Sequence, residues 1–151
     1  MKAFEEAVAV FGKVLGLELQ EKDGAVSFDA IVDAEAGVAL RIDVVHFPET
    51  KNMLVSADLG ELPRDGEERL CRTLMEANHL FEGTGGATLS VERETRHVRF
   101  EFCIPLVLLG NEPGPVFLER FLNAAESWRK LLLAPPETTI GFMPHFMYIM
   151  A

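Results

Sequence analysis

An α+β domain with the element order α-βββ-α-ββ-α is the fold this sequence predicts, on three observations. Apolar residues recur at helical spacing in three separated stretches. Between them lie runs in which polar and apolar residues alternate, first three and then two, joined by short turn-rich connections. Strands that follow one another through short turns pair antiparallel. This leaves the helices on one face or at the ends of a twisted sheet and gives no room for parallel crossovers.

The elements follow in order. Phe4, Ala7, Val8, Phe11, Val14 and Leu15 form the stripe of a first helix, with Glu5, Glu6 and Lys13 off it and Gly16 placed to stop it. Val26, Phe28 and Ala30 alternate with Ser27, Asp29 and Ile31, and AEAG at 34–37 turns the chain into VALRIDVVHF. A turn over 48–52 leads to MLVSADLGEL, which Pro63, Arg64, Asp65 and Gly66 break. A second helix is predicted over 67–81, with Leu70, Leu74, Ala77 and Phe81 on its stripe and Asp65 as its cap. ATLSVERE and HVRFEFCIPL predict a hairpin, although ETR between them is weak turn chemistry. Pro113, Gly114 and Pro115 prepare a third helix, whose face is Phe117, Leu118, Phe121, Leu122, Ala125, Trp128 and Leu132. The domain is expected over 1–134, followed by an apolar tail over 135–151 that is charged only at Glu137.

Composition narrows the function classes. The chain has 151 residues, the size of one domain, and no run approaches the 18 or more apolar residues of a membrane span. Glu5 and Glu6 interrupt the first apolar stretch, which therefore lacks the form of a signal peptide and predicts a cytoplasmic protein. A net charge of −10 opposes binding to nucleic acid. It is concentrated at the front, where twelve acids stand against five bases before residue 64, and such a surface suits neutral or basic partners. Cys71 and Cys103 are expected as small buried thiols without a redox role.

No stretch carries the residues of a catalytic, metal or cofactor site. GTGGATLSV at 83–91 is the one glycine cluster, but it follows a helix and precedes a strand, so a helix C-terminus faces it and repels phosphate. Its structural reading is a helix stop with Gly83 left-handed at the cap, then a tight re-entry into the strand through Gly85 and Gly86. Glu76 and His79 form a lone E-x-x-H without the second copy a di-iron site needs. His46, His79, His97 and His145 have no ligand spacing, and neither the serines nor the cysteines lie in a nucleophile motif. What remains is more apolar surface than one helix-on-sheet layer covers, which points to binding a polypeptide or a second copy.

The segment L-x-E-A-N-x-L at 74–80, followed by G-x-G-G-A-x-L at 83–89, resembles the Tir chaperone (CesT-like) family, the class I type III secretion chaperones. The resemblance extends over about residues 2–133. It implies a non-catalytic, ATP-independent, homodimeric cytoplasmic chaperone. Such a protein holds an extended N-terminal segment of a secreted effector and keeps it secretion-competent. The client would add a strand to a sheet edge and fill an apolar groove, here expected at Phe4, Val8, Phe11, Leu15, Val26, Phe28, Leu40 and Ile42. The dimer contact is expected at Leu70, Leu74, Asn78, Phe81, Leu89 and Val91, with Asn78 as a polar residue in need of a partner. The tail lies outside the family pattern. Ile140, Phe142, Met143, Phe146, Met147 and Tyr148 are expected to fill a groove of the chain's own body or its neighbour, as a pseudo-client. The alternative function is a regulatory or scaffold module of the same fold that binds a folded partner or a small ligand.

Overall fold

The computed structural model describes residues 2–109, 112–135 and 149. Helix α1 (Lys2–Leu15) is followed by strands β1 (Ala25–Asp33), β2 (Val38–Phe47) and β3 (Asn52–Glu61). Then come α2 (Glu67–Asn78), β4 (Thr88–Val91), β5 (His97–Pro105) and α3 (Pro113–Leu133), with 3-10 turns at His79–Phe81 and Leu106–Leu108. The predicted α+β order is the observed one. All five strands form one antiparallel sheet in the order β1-β2-β3-β5-β4.

Alternation along the strands makes one sheet face apolar and the other polar. The row Phe28–Ile42–Ala57–Phe100–Leu89 crosses all five strands in register, and every member is buried. Helices α1 and α3 cover this face. Phe117 of α3 is the meeting point: it stacks on Phe11 of α1 at 6.2 Å and on Phe121 at 5.8 Å, and meets the edge of Phe102 at 5.3 Å. Ring contacts of this kind add to the burial of the side chains themselves. Gly16, with φ of 65°, ends α1 as its position predicts.

The second helix differs from expectation at both ends. Its N-cap is Gly66 in the left-handed region, with no side-chain cap bond, so Asp65 does not cap it. It stops at Asn78 rather than running to Phe81, because His79 turns extended and Leu80 and Phe81 take φ of 51° and 57°. The reversal therefore comes before the glycines. Gly83 is not left-handed; its N–H donates to the Ala77 carbonyl at 3.1 Å, while Gly85 and Gly86 do carry positive φ. The hairpin loop of weak turn chemistry is held instead by Arg96. That residue sits at φ of 61° and forks onto Glu67 at 3.1 and 3.2 Å, and it reaches the Leu62 carbonyl at 3.3 Å. A charged side chain bonded to another element stabilises a backbone conformation that turn propensity alone disfavours.

The glycine loop lies against α3. Trp128 is fully buried and its Nε1–H donates to the Gly83 carbonyl at 2.8 Å. From the other end of the chain, buried Ile149 donates its N–H to the Gly85 carbonyl at 2.7 Å, and its own carbonyl accepts from Arg120 at 3.4 Å. Residues 140, 142, 143 and 146–148, expected as a pseudo-client, lie outside the described residues. Trp128→Phe, which keeps the ring but leaves a buried carbonyl without its donor, is expected to cost about 1–3 kcal/mol in urea unfolding. Loss of less than about 0.5 kcal/mol would show that the loop does not depend on that bond.

Candidate polypeptide-binding surfaces

A sheet with β1 and β4 at its ends has two edges, and the chain treats them differently. At the β1 end, the His46 N–H donates to the Gly24 carbonyl at 2.8 Å. With the register Val26↔Val44 and Phe28↔Ile42, this pairing directs the backbone of even-numbered residues toward β2 and that of odd-numbered residues outward. Ala25 uses its outward groups on Lys22, at 2.8 and 3.0 Å. Beyond it, the N–H and C=O groups of Ser27, Asp29 and Ile31 point away from the sheet. Ile31 is 69% exposed, an unusual position for a β-branched apolar side chain on an edge that no other strand of the described residues pairs.

At the β4 end the edge is closed by a side chain. The Leu89 N–H donates to Asn78 Oδ1 at 2.9 Å, and Asn78 Nδ2 donates to the Leu89 carbonyl at 3.0 Å. The Asn78 amide thus copies the two bonds of a neighbouring strand, which satisfies the polar residue singled out in the sequence. Since α2 ends at Asn78, the next residues swing outward, and Leu80 and Phe81 are 66% and 45% exposed. Together with Met75 and Val91, also exposed, they make an apolar side around α2 and β4. A shallow cleft of about 580 Å3 lined by Cys71, Arg72, Met75, Glu76 and His79 continues it. Glu76 of the E-x-x-H pair bonds Arg72 at 2.8 Å, an ordinary helical ion pair.

The face of the sheet away from α1 and α3 carries charge in its middle and an apolar row at one end. Arg99 reaches Asp43 at 3.2 Å, Glu92 at 3.8 Å and Asp58 at 3.9 Å, while His97 Nδ1 lies 2.8 Å from Asp58. Burial pushes the Asp58 carboxyl up, but the His97 hydrogen bond, the Gly60 amide and the Arg99 charge outweigh it and hold the carboxyl below its ordinary value. Val45, Leu54 and Cys103 are cross-strand partners in the apolar row, half-buried except for exposed Cys103, and Phe47 lies beyond them at the end of β2.

Most of the residues expected to bind are buried within the single chain. Of the expected groove, Phe4, Val8, Phe11, Val26, Phe28, Leu40 and Ile42 are core side chains and Leu15 is half-buried, so the first helix spends its apolar stripe on the sheet and α3. Of the expected dimer contact, Leu70, Leu74 and Leu89 are also core, Asn78 is half-buried, and Phe81 and Val91 are exposed. Cys71 and Cys103 are free thiols, but Cys71 is half-buried and Cys103 exposed, not buried as expected. Met75, Leu80, Ile31 and the Val45–Leu54–Cys103 row, exposed or half-buried, were not singled out in the sequence. Their signal was present as apolar residues off the stripe of an amphipathic helix or in the polar register of a strand.

Asp58 gives the surface a pH signature. A folded pKa below the unfolded value of about 3.9 means that the unfolded state binds more protons in that interval, so stability rises with pH there. This contribution is complete above about pH 4 to 5 and disappears as pH falls through the folded value. Asp58→Asn is expected to flatten the acid limb of the unfolding free energy, measured by denaturant titration between pH 2 and pH 5. An acid limb as steep as wild type would assign the dependence to other carboxylates.

Comparison with known proteins places this arrangement. A chain of the HopA1–SchA chaperone–effector complex superimposes with a TM-score of 0.60 at 15% identity, covering 85% of this chain and 91% of that one. A chain of the ExsC–ExsE complex gives 0.62 at 19% identity, with 87% and 93% covered. A chain of the ExoT–SpcS complex from Pseudomonas aeruginosa gives 0.55 at 16%, with 83% and 96% covered. No curated protein matches by sequence. The family model of the Tir chaperone protein (CesT) family matches residues 7–129. With that match spanning most of the sheet and its three helices, the chain belongs to the Tir chaperone protein (CesT) family.

Proposed function

We propose that this protein is a non-catalytic, ATP-independent class I type III secretion chaperone that holds an extended N-terminal segment of a secreted effector in the bacterial cytoplasm. The open β1 edge, in a member of this family, is the observation that carries the reading. Three outward-facing residues in a row offer main-chain hydrogen bonds to an added strand, which supply affinity without reference to client sequence. On the sheet face away from the helices, Ile31 toward the end of β1 and the apolar row Val45, Leu54 and Phe47 near its start offer side-chain contacts. The fold similarity to chains from three chaperone–effector complexes supports the same reading. Among the described residues no helix is long and apolar enough to cross a membrane.

The apolar side around α2 and β4 is proposed as a homodimer contact. A two-fold axis brings one patch onto its own copy, so Met75, Leu80, Phe81 and Val91 meet their equivalents while Arg72 and Glu76 fall at the rim. The tail is proposed to pack on the chaperone body as a pseudo-client, a reading supported by the burial of Ile149. Removal of residues 137–151 is expected to raise client affinity or alter the oligomeric state, and a truncated protein unchanged in both would sink that part.

Co-expression with the protein encoded by the neighbouring reading frame tests the chaperone reading. A stable complex is expected in which some 50 or more client residues are protected from protease yet remain extended. A monomer that binds no unfolded segment overturns it. Asp29→Pro deletes one outward N–H and leaves the β1–β2 ladder intact, and is expected to weaken client binding about tenfold. Met75→Glu with Val91→Glu places like charges on both sides of the two-fold contact. The expected result is a folded monomer by light scattering and circular dichroism, whereas a persisting dimer would move the contact elsewhere.

A further inference from the structure

The passage from α2 to β4 contains two consecutive non-glycine residues in the left-handed region, Leu80 at φ 51° and ψ 20° and Phe81 at φ 57°. Residues with a Cβ disfavour that region and visit it singly rather than in succession. The side chains of both are exposed, so burial of their own does little to offset the strain. Such a conformation persists only where the surroundings over-determine it. Here it sets the direction in which Leu80 and Phe81 leave α2, and so places two apolar side chains on the same side as Met75 and Val91.

The restraints on the turn lie downstream of it. The Gly83 N–H bonds the Ala77 carbonyl at 3.1 Å and fixes the ends of the turn. The direction of the Phe81 carbonyl, which follows from rotation within the turn, is held by the N–H groups of Thr84 at 3.2 Å and Gly85 at 3.0 Å. Gly85 and Gly86 carry φ of 65° and 106°, and glycines have many other conformations open to them, so this stretch does not hold itself. Trp128 grips the loop at Gly83, before the two glycines. Ile149 grips it at Gly85, whose carbonyl accepts the Ile149 N–H at 2.7 Å. Ile149 is 2% exposed and belongs to the core, and its own carbonyl accepts from Arg120. Gly85 is thus bonded to the strained turn through its N–H and to the C-terminal end of the chain through its C=O.

We propose that Ile149 is a positioning residue for self-association: its seat on Gly85 holds the left-handed turn that presents Leu80 and Phe81 to a second copy of the chain. Without that seat the glycines are free to rotate, the Phe81 carbonyl loses its donors, and Leu80 and Phe81 relax to negative φ, which withdraws their side chains from the patch. The inference rests on the homodimer contact proposed above and adds to it a dependence on the C-terminal end, so that the strength of pairing follows whether Ile149 is seated.

In the full-length protein, Ile149→Asp places a charge in the buried seat and releases it. Amide hydrogen exchange, followed residue by residue by NMR, is expected to become about tenfold faster at Thr84 and Gly85 while the amides of β3 and β5 stay protected. Sedimentation is expected to show a dimer about tenfold weaker. Ile149→Val keeps the apolar seat and should match wild type in both measurements. Deletion of residues 149–151 repeats the release without burying a charge and should match Ile149→Asp.

Unchanged exchange at Thr84 and Gly85 in both releasing variants overturns the hold of Ile149 on the turn. Faster exchange there with undiminished dimer affinity overturns the coupling to self-association. Loss of protection throughout β3 and β5 in both variants makes Ile149 a residue of general stability, and overturns the proposal as well. Leu80→Ala with Phe81→Ala removes the side chains and leaves Ile149 in place, and is expected to weaken the dimer at least as much as Ile149→Asp. A wild-type dimer that this pair of substitutions does not weaken, or a wild type monomeric at every concentration, overturns the homodimer reading itself.

Discussion

The indole of Trp128 and the carbonyl of Gly83 meet in the fully buried interior, and much of the architecture depends on that contact. An indole N–H has one bond to give and a buried carbonyl has few donors to choose from, so their 2.8 Å pairing sets where the α2–β4 connection lies on α3. With Gly83 held there, Gly85 presents its carbonyl to Ile149 and β4 enters the sheet beside β5. The same connection brings Asn78 opposite Leu89, so the closing of the β4 edge follows from the anchoring of the loop on the helix. A single hydrogen bond of ordinary strength thus fixes geometry well beyond the energy it contributes.

Exposed edges are an aggregation hazard, and the two ends of this sheet answer it in opposite ways. At β4 the strand is four residues long and an asparagine side chain takes the outward backbone groups of Leu89 at its middle. At β1 the strand is nine residues long, and its protection is Asp29 paired loosely with Arg41 at 3.7 Å on the exposed surface. Such a pair is worth little and is easily rearranged. An edge defended, among the described residues, by a weak surface ion pair is still open to an incoming strand. That contrast underlies the proposal that a client binds at β1 and that the chain self-associates on the α2 side.

Charge supports the same division. On the open face, Arg99 neutralises acids from three different elements, β2, β3 and the β4–β5 hairpin, and so ties together strands that apolar packing joins from the other side. Arg96 does likewise for the hairpin and α2 through Glu67, whose carboxyl is held below its ordinary value chiefly by the Arg96 hydrogen bond. These arginines are committed to internal contacts. The acidic excess of the front half remains on the surface.

The element order, the antiparallel pairing and the two sheet faces were legible in the sequence, because alternation and helical periodicity are local properties. Val26, Phe28, Leu40 and Ile42 announce an inward face without reference to any partner strand. The family was legible too, in the run from Leu74 to Leu89. Which apolar residues are core and which are surface was not, since periodicity shows that Phe4, Val8 and Phe11 share a side but not what covers it. The covering is supplied by α3, some hundred residues later, and only the tertiary structure brings Phe117 against Phe11. The end of α2 was hidden for the same reason: Asn78, its last residue, bonds the backbone of Leu89 eleven residues on, and the chain turns away at His79. Local pattern determined the elements and their faces, and long-range contacts decided where they stop and what they leave uncovered.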